Sequence, residues 1–311
     1  MTNGTEFLRA TQTQASPRCF LHIPKCAGMS VHAALEAALP PGSLTSRRMD
    51  TSVICDFRDF DALDATVRNL MAVTDDDIRS MRQSAAISGH FSLTTLLSLT
   101  SPQAIGTILR EPRARTLSLY LYWRTPTIFD AVRPYRAHEH ALLPLDRFLN
   151  EPRVAPAVDN QICRMLLYGD PRMPTDGFIA PSDINAVASD AIAQLDTLGS
   201  VGVLELGDSA WRGLDQLFDV HLEPGRMNVT GELKNPVPLR VGEEVRASAI
   251  LDLIEQRNAA DKIVYDHALG LAGIRADARQ RLARSAFADQ LVRLGDLLGD
   301  STVKPRHTVG T

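Results

Sequence analysis

The chain has 311 residues, of which 44% are apolar and 23% charged, a composition typical of a globular protein with a sizeable core. Its formal net charge of -4 argues against broad affinity for nucleic acids or anionic membranes, so an anionic ligand requires a local basic site. The four cysteines form neither CxxC pairs nor a Cys/His cluster, and no stretch has the length and apolarity of a membrane span. We therefore expect a cytoplasmic protein with no zinc site, disulfide framework or transmembrane segment.

The first predicted unit is a strand, a tight loop and a helix within residues 19–39, "CFLHIPKCAGMSVHAALEAAL". The apolar run 19–23 stops at a Pro-Lys pair, passes through small residues and becomes an Ala/Leu-rich helical pattern. A short strand within 49–57, a helix over 59–71 and a helix with the acidic start "TDDDIRSMRQ" are expected next.

The segment "AAISGHF" reads as a buried strand, and "AIGTILREPRARTLSLYLYW" as a strand over 104–109 followed by a helix with proline in its first turn. The patterns further along predict helices at 157–168, 182–197, 208–219, 243–270 and 275–298, a strand at 201–205 and a loop at 222–242.

Short apolar strands that alternate with helices favour a parallel sheet covered on both faces. We therefore predict an α/β fold, a three-layer sandwich with a mainly parallel central sheet. Residues 1–311 are expected to form a single domain with its core at about 18–270, a C-terminal helix at 275–298 and flexible termini. In such sheets ligands bind at the carboxyl ends of the strands, where the first loop, His90 and Arg110 all fall, so these groups are expected to share one crevice.

The first loop has the features of an anion site. A glycine-containing turn before a helix presents unpaired N–H groups and the positive end of the helix dipole, which together favour phosphate or sulfate. Lys25 is one of only four lysines among 33 basic residues, and its compact charge suits a single oxygen in a narrow site. Because Lys25 precedes Gly28 and no glycine begins the motif, this is not a Walker loop. Taken alone, the loop fits an ordinary strand-to-helix turn equally well.

A second anion site is predicted at the next strand end. Arg110 ends an apolar strand and Ser118 follows two helical turns later, so a guanidinium and a hydroxyl are able to close on one anion. In isolation, Arg110 fits a surface ion pair and Ser118 a hydroxyl bonded to its own helix. The two sites together indicate a ligand with phosphate-like groups at both ends.

The motifs "FLHIPKCAGMSV", "ISGHFSL" and "TILREPRARTLSLYLYW" resemble those of carbohydrate sulfotransferases of the heparan sulfate 2-O-sulfotransferase-like group, which use 3′-phosphoadenosine 5′-phosphosulfate (PAPS). Weaker similarity at 159–169, 201–205 and 257–268 extends the resemblance over most of 18–270. The resemblance implies a P-loop-like sulfotransferase fold. The residues it implies as the loop for the 5′-phosphosulfate are Lys25, Cys26, Ala27, Gly28, Met29 and Ser30.

The same resemblance implies that Arg110 and Ser118 bind the 3′-phosphate of PAPS. The family often has threonine where Met29 stands, so this position keeps only its backbone N–H as a donor. We expect the 222–242 loop to close over the adenine or 3′-phosphate side of the nucleotide, with Arg226, Asn228 or Lys234 near it.

Sulfuryl transfer to an alcohol requires a base, charge stabilisation on the leaving phosphate and in-line positioning. His90 is the predicted catalytic base because imidazole titrates near neutral pH, and Lys25 the predicted catalytic cation. Glu111 and Asp59 are alternative bases, and His22 is expected in the core. The chemistry requires no metal.

The expected acceptor is a sugar hydroxyl on a small molecule, lipid or glycan; no nucleic-acid partner is expected, and a homodimer is left open. Two other functions stay open. A P-loop kinase-like phosphotransferase would use the same sheet but should show a Walker loop, which is missing here. A non-catalytic nucleotide-binding protein would keep both anion sites, but it would not need His90.

Overall fold

The computed structural model describes residues 16–45, 49–50, 71–72, 75–124, 143–225 and 248–297. The described strands, in chain order, are β1 (Arg18–Leu21), β2 (Met49–Asp50), β3 (Met71–Ala72), β4 (Ala86–Gly89), β5 (Ile105–Leu109) and β6 (Ser200–Val203). The central sheet has the order β4-β1-β5-β6 and every neighbouring pair in it is parallel. Strands β2 and β3 form a separate parallel pair. The predicted α/β class with a parallel sheet is confirmed.

The helices separate these strands along the chain. In chain order the described α-helices are α1 (Gly28–Ala38), α2 (Asp75–Met81), α3 (Leu93–Leu97), α4 (Pro112–Trp123), α5 (Leu145–Leu149), α6 (Ala155–Val158), α7 (Gln161–Leu166), α8 (Ile184–Leu195), α9 (Arg212–Phe218), α10 (Ser248–Arg257), α11 (Ala259–Leu271) and α12 (Ala276–Leu297). Short 3-10 segments lie at Pro102–Ala104, Pro152–Val154 and Leu204–Ala210.

Successive side chains along the strands point to opposite faces of the sheet and pack into two separate cores, one on each face. Leu21 of β1 packs with residues of α3, α7, α8 and α11, whereas the adjacent Phe20 packs with residues of α1 and α9. The register places Phe20 beside Ser88 and Gly106, two small residues. A β-carbon on Gly106 would lie 2.7 Å from Leu214 Cδ2, so glycine lets α9 approach the sheet. Helices therefore cover both faces, an arrangement compatible with a three-layer sandwich.

Two long helices expected from the sequence are each broken by an asparagine. The predicted helix at 157–168 is wrong as a continuous element, because Asn160 adopts a left-handed backbone (φ 49°) between α6 and α7. The predicted helix at 243–270 is likewise interrupted at Asn258, whose Nδ2 donates to the Ile254 carbonyl near the end of α10 at 2.8 Å. The Asn258 side-chain bond competes with the helix backbone. At Asn160 the left-handed backbone itself ends the helical run.

Other boundaries also differ from the sequence expectation. The helix expected over 208–219 begins only at Arg212, after the 3-10 segment that contains Gly207 at φ 61°. Met71, expected at the end of a helix, lies in β3, and the rest of 59–70 lies outside the described residues. Of the predicted 222–242 loop, residues 222–225 are described and have neither helix nor strand.

Helices α7 and α11 cap each other's first turns through the side chains of Asn160 and Asp261. Asp261 accepts hydrogen bonds from the Ile162 and Cys163 N–H groups at 2.9 Å each, at the start of α7. Asn160 Oδ1 in turn accepts from the Ala260 and Asp261 N–H groups at 2.8 and 3.2 Å, at the start of α11. We call Asn160, Asp261 and these N–H groups the helix-capping network. Each helix thus satisfies the otherwise unpaired first N–H groups of the other.

The C-terminal helix α12 packs along α4 and so lies near the carboxyl edge of the sheet. The Arg113 guanidinium of α4 donates to the Ala283 carbonyl at 3.3 Å and lies 4.6 Å from the centroid of the Phe287 ring. This contact gives α12 a fixed place beside the loops that follow β1 and β5. Within the described part of the chain, no helix combines the length and apolarity needed to cross a bilayer.

Candidate active site

The loops that follow β1 and β5 meet at the point where the strand order of the sheet changes direction. From β1 the chain goes out to β4 on one side, then returns to β5 and β6 on the other. Such a switch point leaves a crevice at the carboxyl ends of the two central strands, the usual ligand position in open α/β sheets. There Arg110 Nη1 donates to the Lys25 carbonyl at 3.2 Å. The structure thus brings the two predicted anion-binding loops together.

The backbone of the first loop exposes N–H groups. Lys25 (φ 68°) and Ala27 (φ 62°) both adopt the left-handed region, which costs a non-glycine residue about 1–3 kcal/mol. Gly28 and Met29 open α1, where N–H groups have no acceptor within the helix, and no acceptor for them lies among the described residues. Turns with residues in this conformation form concave anion sites from successive N–H groups. The loop therefore has the backbone geometry of an anion cradle.

Gly28 is required by the histidine beside it. A β-carbon at this position would lie 1.7 Å from His22 Cδ2 and 1.9 Å from His22 Nε2, so any larger residue would displace the ring. The His22 ring also packs on His90, with 3.9 Å between centroids. Sequence analysis placed His22 in the core, and its side chain is indeed buried. Its contact with both the loop and His90 was missed.

The environment of His90 sets its tautomer and its charge. Nδ1 lies 2.9 Å from the His22 carbonyl, which only accepts hydrogen bonds, so Nδ1 carries the proton and Nε2 has the free lone pair. Desolvation lowers the pKa of His90 to about 4; the Lys25 cation lowers it too, while the bond to His22 opposes the change. At neutral pH the ring is therefore uncharged, with Nε2 available as a base.

Lys25 lies in an environment that disfavours its charge. The Tyr122 ring on α4, with its centroid 3.8 Å from Nζ, favours the charged form, but burial and a neighbouring cation oppose it. Burial, followed by repulsion from Arg110, lowers the pKa of Lys25 to about 7. A bound anion would supply the missing negative charge and return this pKa toward its usual range.

A cavity of about 380 Å³ lies at this edge, and its lining includes the first loop and Arg110. Its volume falls within the roughly 300–1,000 Å³ of small-molecule sites. Pro224 and Gly225 also line it, which places the start of the predicted 222–242 loop at its wall. The site residues that line it are Lys25, Ala27, Ser30, Arg110, Glu205 and Gln290.

Sequence analysis did not assign a site role to Glu205 or Gln290. Glu205 follows β6 and accepts hydrogen bonds from the Glu111 N–H and the Tyr265 hydroxyl, both at 3.0 Å. Burial raises the pKa of Glu205, while Arg110 opposes that rise. Gln290 comes from α12, with its Oε1 2.8 Å from Arg110 Nη2. Only the strand-end position of Glu205 was visible in the sequence, because α12 reaches the site through tertiary packing.

The remaining predicted residues lie in different places. Cys26 does not face the cavity: its N–H donates to the Ile23 carbonyl at 3.2 Å, its thiol is in the core, and burial raises the pKa of that thiol to about 12. Met29 is half-buried at the start of α1. Ser118 is 2% exposed on α4, one helical turn before Tyr122 and so on the face that carries the Lys25 contact.

Glu111 does not have a free carboxylate for catalysis in this arrangement. Its two oxygens accept from the Arg113 Nε at 2.6 Å and the Ala114 N–H at 2.7 Å, where they cap the start of α4. The other alternative base, Asp59, lies outside the described residues, as do Arg226, Asn228 and Lys234. Among the residues that are described, no three His, Cys, Asp or Glu side chains are grouped to hold a metal ion.

No protein-family model matches the chain, and no curated protein matches its sequence.

Proposed function

We propose that the chain is a PAPS-dependent sulfotransferase that transfers a sulfuryl group to a hydroxyl of an acceptor. The observation that carries the proposal is the meeting, at one sheet edge, of a neutral histidine whose lone pair is on Nε2 with the two cationic side chains of Lys25 and Arg110. The parallel sheet with helices on both faces fits the P-loop-like sulfotransferase fold that the sequence motifs imply. The first and third motifs contribute Lys25, Ala27, Ser30 and Arg110 to the cavity lining. His90, in the second motif, is not a lining residue of the cavity but is close enough to Lys25 for that cation to lower its pKa.

The residues present fit PAPS as the donor, which supplies a sulfuryl group already activated as a phosphosulfate. The loop N–H groups and Lys25 would hold the 5′-phosphosulfate, and Arg110 the 3′-phosphate. The cavity is of suitable size, about 380 Å³, and Lys25 and Arg110 both line it. Ser118 does not line the cavity, and we retain it as a 3′-phosphate residue because the sequence resemblance implies that role.

His90 and Lys25 have opposite roles in the proposed transfer. The acceptor oxygen bonds to sulfur as its proton passes to His90 Nε2, and the bond from sulfur to the 5′-phosphate breaks with its electron pair left on the phosphate oxygen. Lys25 and the loop N–H groups stabilise that developing charge. In-line displacement then requires the acceptor to enter from the His90 side.

The acceptor is proposed to be a carbohydrate or glycolipid hydroxyl. The proposed proton transfer needs only an acceptor O–H within reach of His90 Nε2 and does not specify a particular sugar. The chemical class is therefore taken from the resemblance of the sequence motifs.

A transfer screen with PAPS carrying a labelled sulfuryl group, against glycan and glycolipid extracts of the host, tests the proposal. We expect labelled product with the wild-type chain and a loss of about 10²–10⁴-fold with His90→Ala. Binding of 3′-phosphoadenosine 5′-phosphate (PAP), the nucleotide left when PAPS gives up its sulfuryl group, without transfer to any extract would favour a non-catalytic nucleotide-binding protein. Calorimetry that showed binding of ATP with magnesium and none of PAP would favour a phosphotransferase instead.

A further inference from the structure

Gln290 is a buried polar residue on the C-terminal helix whose hydrogen bonds are only half satisfied. Its side chain is 1% exposed, and Oε1 accepts from Arg110 Nη2 at 2.8 Å. Its Nε2 is buried and has no partner among the described residues. An amide N–H removed from water without an acceptor is costly, so this atom calls for an explanation.

The contact with Arg110 fixes which atom of the amide is the oxygen. A guanidinium has only donors, so the atom of Gln290 that bonds to Arg110 must be Oε1, and the remaining atom is the donor Nε2. Gln290 lines the cavity together with Lys25, Ala27 and Arg110. The unpartnered donor therefore belongs to a side chain that forms the cavity wall.

A second buried glutamine, Gln161, has the same bonding pattern as Gln290 but lies away from the cavity. Gln161 Oε1 accepts from Arg115 Nη1, and its Nε2 is also without a described partner. Gln161 is fully buried on α7 and does not line the cavity described above. An unpartnered amide nitrogen alone does not indicate a ligand, but one on a side chain that lines a cavity and bonds to a cation there, Arg110, does. Gln161 provides a matched control.

The cavity lining carries both positive and negative side chains, so the position of the hydrogen-bond donors matters more than the net charge of the lining. Arg293 lies one helical turn after Gln290 and also lines the cavity, as do the three carboxylates Glu205, Asp208 and Asp289. Arg110 and Gln290 form the corner where a cation and a neutral donor adjoin. An anion that bridges them gains a charge-assisted bond from Arg110 and an N–H from Gln290.

We propose that Gln290 Nε2 donates a hydrogen bond to the anionic group held by Arg110, while Oε1 orients the guanidinium. The identity of that group, the 3′-phosphate of PAP or PAPS, rests on the proposed function. The C-terminal helix α12 would then complete the nucleotide site rather than only cover the core. Gln290 would discriminate nucleotides with a 3′-phosphate from those without one.

Calorimetric titration of PAP and adenosine 5′-phosphate into four full-length proteins tests this inference. The proteins are the wild type, Gln290→Leu, Gln290→Glu and Gln161→Leu, each checked for its fold by circular dichroism. We expect Gln290→Leu to weaken PAP binding by about tenfold to a hundredfold and leave adenosine 5′-phosphate binding unchanged. Gln290→Glu places a negative charge beside the anion and should weaken PAP further, whereas Gln161→Leu should bind PAP as the wild type does.

Equal PAP affinity in the wild type and Gln290→Leu would overturn the inference, and so would an equal loss for both nucleotides. If Gln290→Leu does not fold, Gln290→Glu decides by the same criteria. Inorganic phosphate separates the two proposals. A wild type that binds phosphate but not PAP, with phosphate binding lost in Gln290→Leu, would uphold Gln290 as an anion ligand and overturn the proposed function. Binding of neither probe would overturn both.

Discussion

Two regions place polar groups at the start of helices, and they differ in whether the protein itself satisfies them. In the helix-capping network, Asp261 accepts from two N–H groups of α7, and Asn160 Oδ1 accepts from two of α11. At the sheet edge, the Gly28 and Met29 N–H groups that open α1 have no acceptor among the described residues. Similar residue types and similar helix ends thus serve a structural role in one place and leave room for a ligand in the other.

The arginines of the two regions differ in the same way. Arg164, next to the helix-capping network, donates to the Asp159 carboxylate and to the carbonyls of Asp159, Pro174 and Gly177, at 2.7 to 2.8 Å. Arg110 donates only to the Lys25 carbonyl and Gln290 among the described residues, so donors remain for an anion. The sequence singles out Arg110 by its position at a strand end, and the partners of the two side chains separate a structural arginine from one with donors left for an anion.

The largest expected effect is on catalysis at the sheet edge. His90→Ala and His90→Asn should lower transfer by about 10²–10⁴-fold, because neither keeps a basic nitrogen, while PAP affinity changes little. Measurements of kcat and of the Kd for PAP check this. His267→Ala is the matched control, since His267 pairs with Asp196 away from the site. Full activity in either His90 variant would contradict the assignment of the base.

The next effect should separate stability from binding. Asp261→Ala leaves two buried N–H groups of α7 without acceptors, at about 1–3 kcal/mol each, so we expect the free energy of unfolding to fall by about 3 kcal/mol. Urea denaturation measures this loss. The Kd for PAP should stay within about twofold if the network is purely structural. A variant that keeps its stability but loses PAP binding would break the distinction between the two regions.

A smaller effect concerns pH. Because the pKa of free Lys25 is about 7 and only its charged form attracts an anion, PAP affinity should be constant below that pH and fall above it. The limit is about tenfold per pH unit for one proton. Calorimetry from pH 6 to 9 measures the fall, with proton uptake on binding above pH 7. Lys25→Met should abolish this pH dependence. An unchanged pH profile in that variant would show that another group causes the dependence.

The smallest effect should come from the strained loop backbone. Ala27→Gly relieves a left-handed alanine and should raise the free energy of unfolding by at most about 1 kcal/mol, with PAP affinity unchanged. Gly28→Ala is its opposite, because the added methyl would overlap the His22 ring, so stability and PAP binding should both fall. Thermal unfolding and calorimetry compare the pair. Equal behaviour of the two variants would show that the loop geometry is not tied to His22.

The elements that the sequence predicts correctly are those determined by the residues of the element itself. Strands β1, β4, β5 and β6 lie where short apolar runs predicted them, because burial on both faces leaves such runs without polar interruptions. The breaks at Asn160 and Asn258 were missed, because side-chain bonds to neighbouring elements stabilise them. The roles of His22 and Gln290 depend on contacts between distant segments, which no local pattern records.

The central claim, a site for a nucleotide with anions at both ends, is tested most directly by thermal unfolding of the wild-type chain with matched nucleotides. PAP should stabilise the native state, by about 2.7 kcal/mol at a concentration of 100 times its Kd. Adenosine 5′-phosphosulfate, which lacks the 3′-phosphate, should stabilise far less at the same concentration. Equal stabilisation by the two nucleotides, or none by either, would contradict the two-anion site.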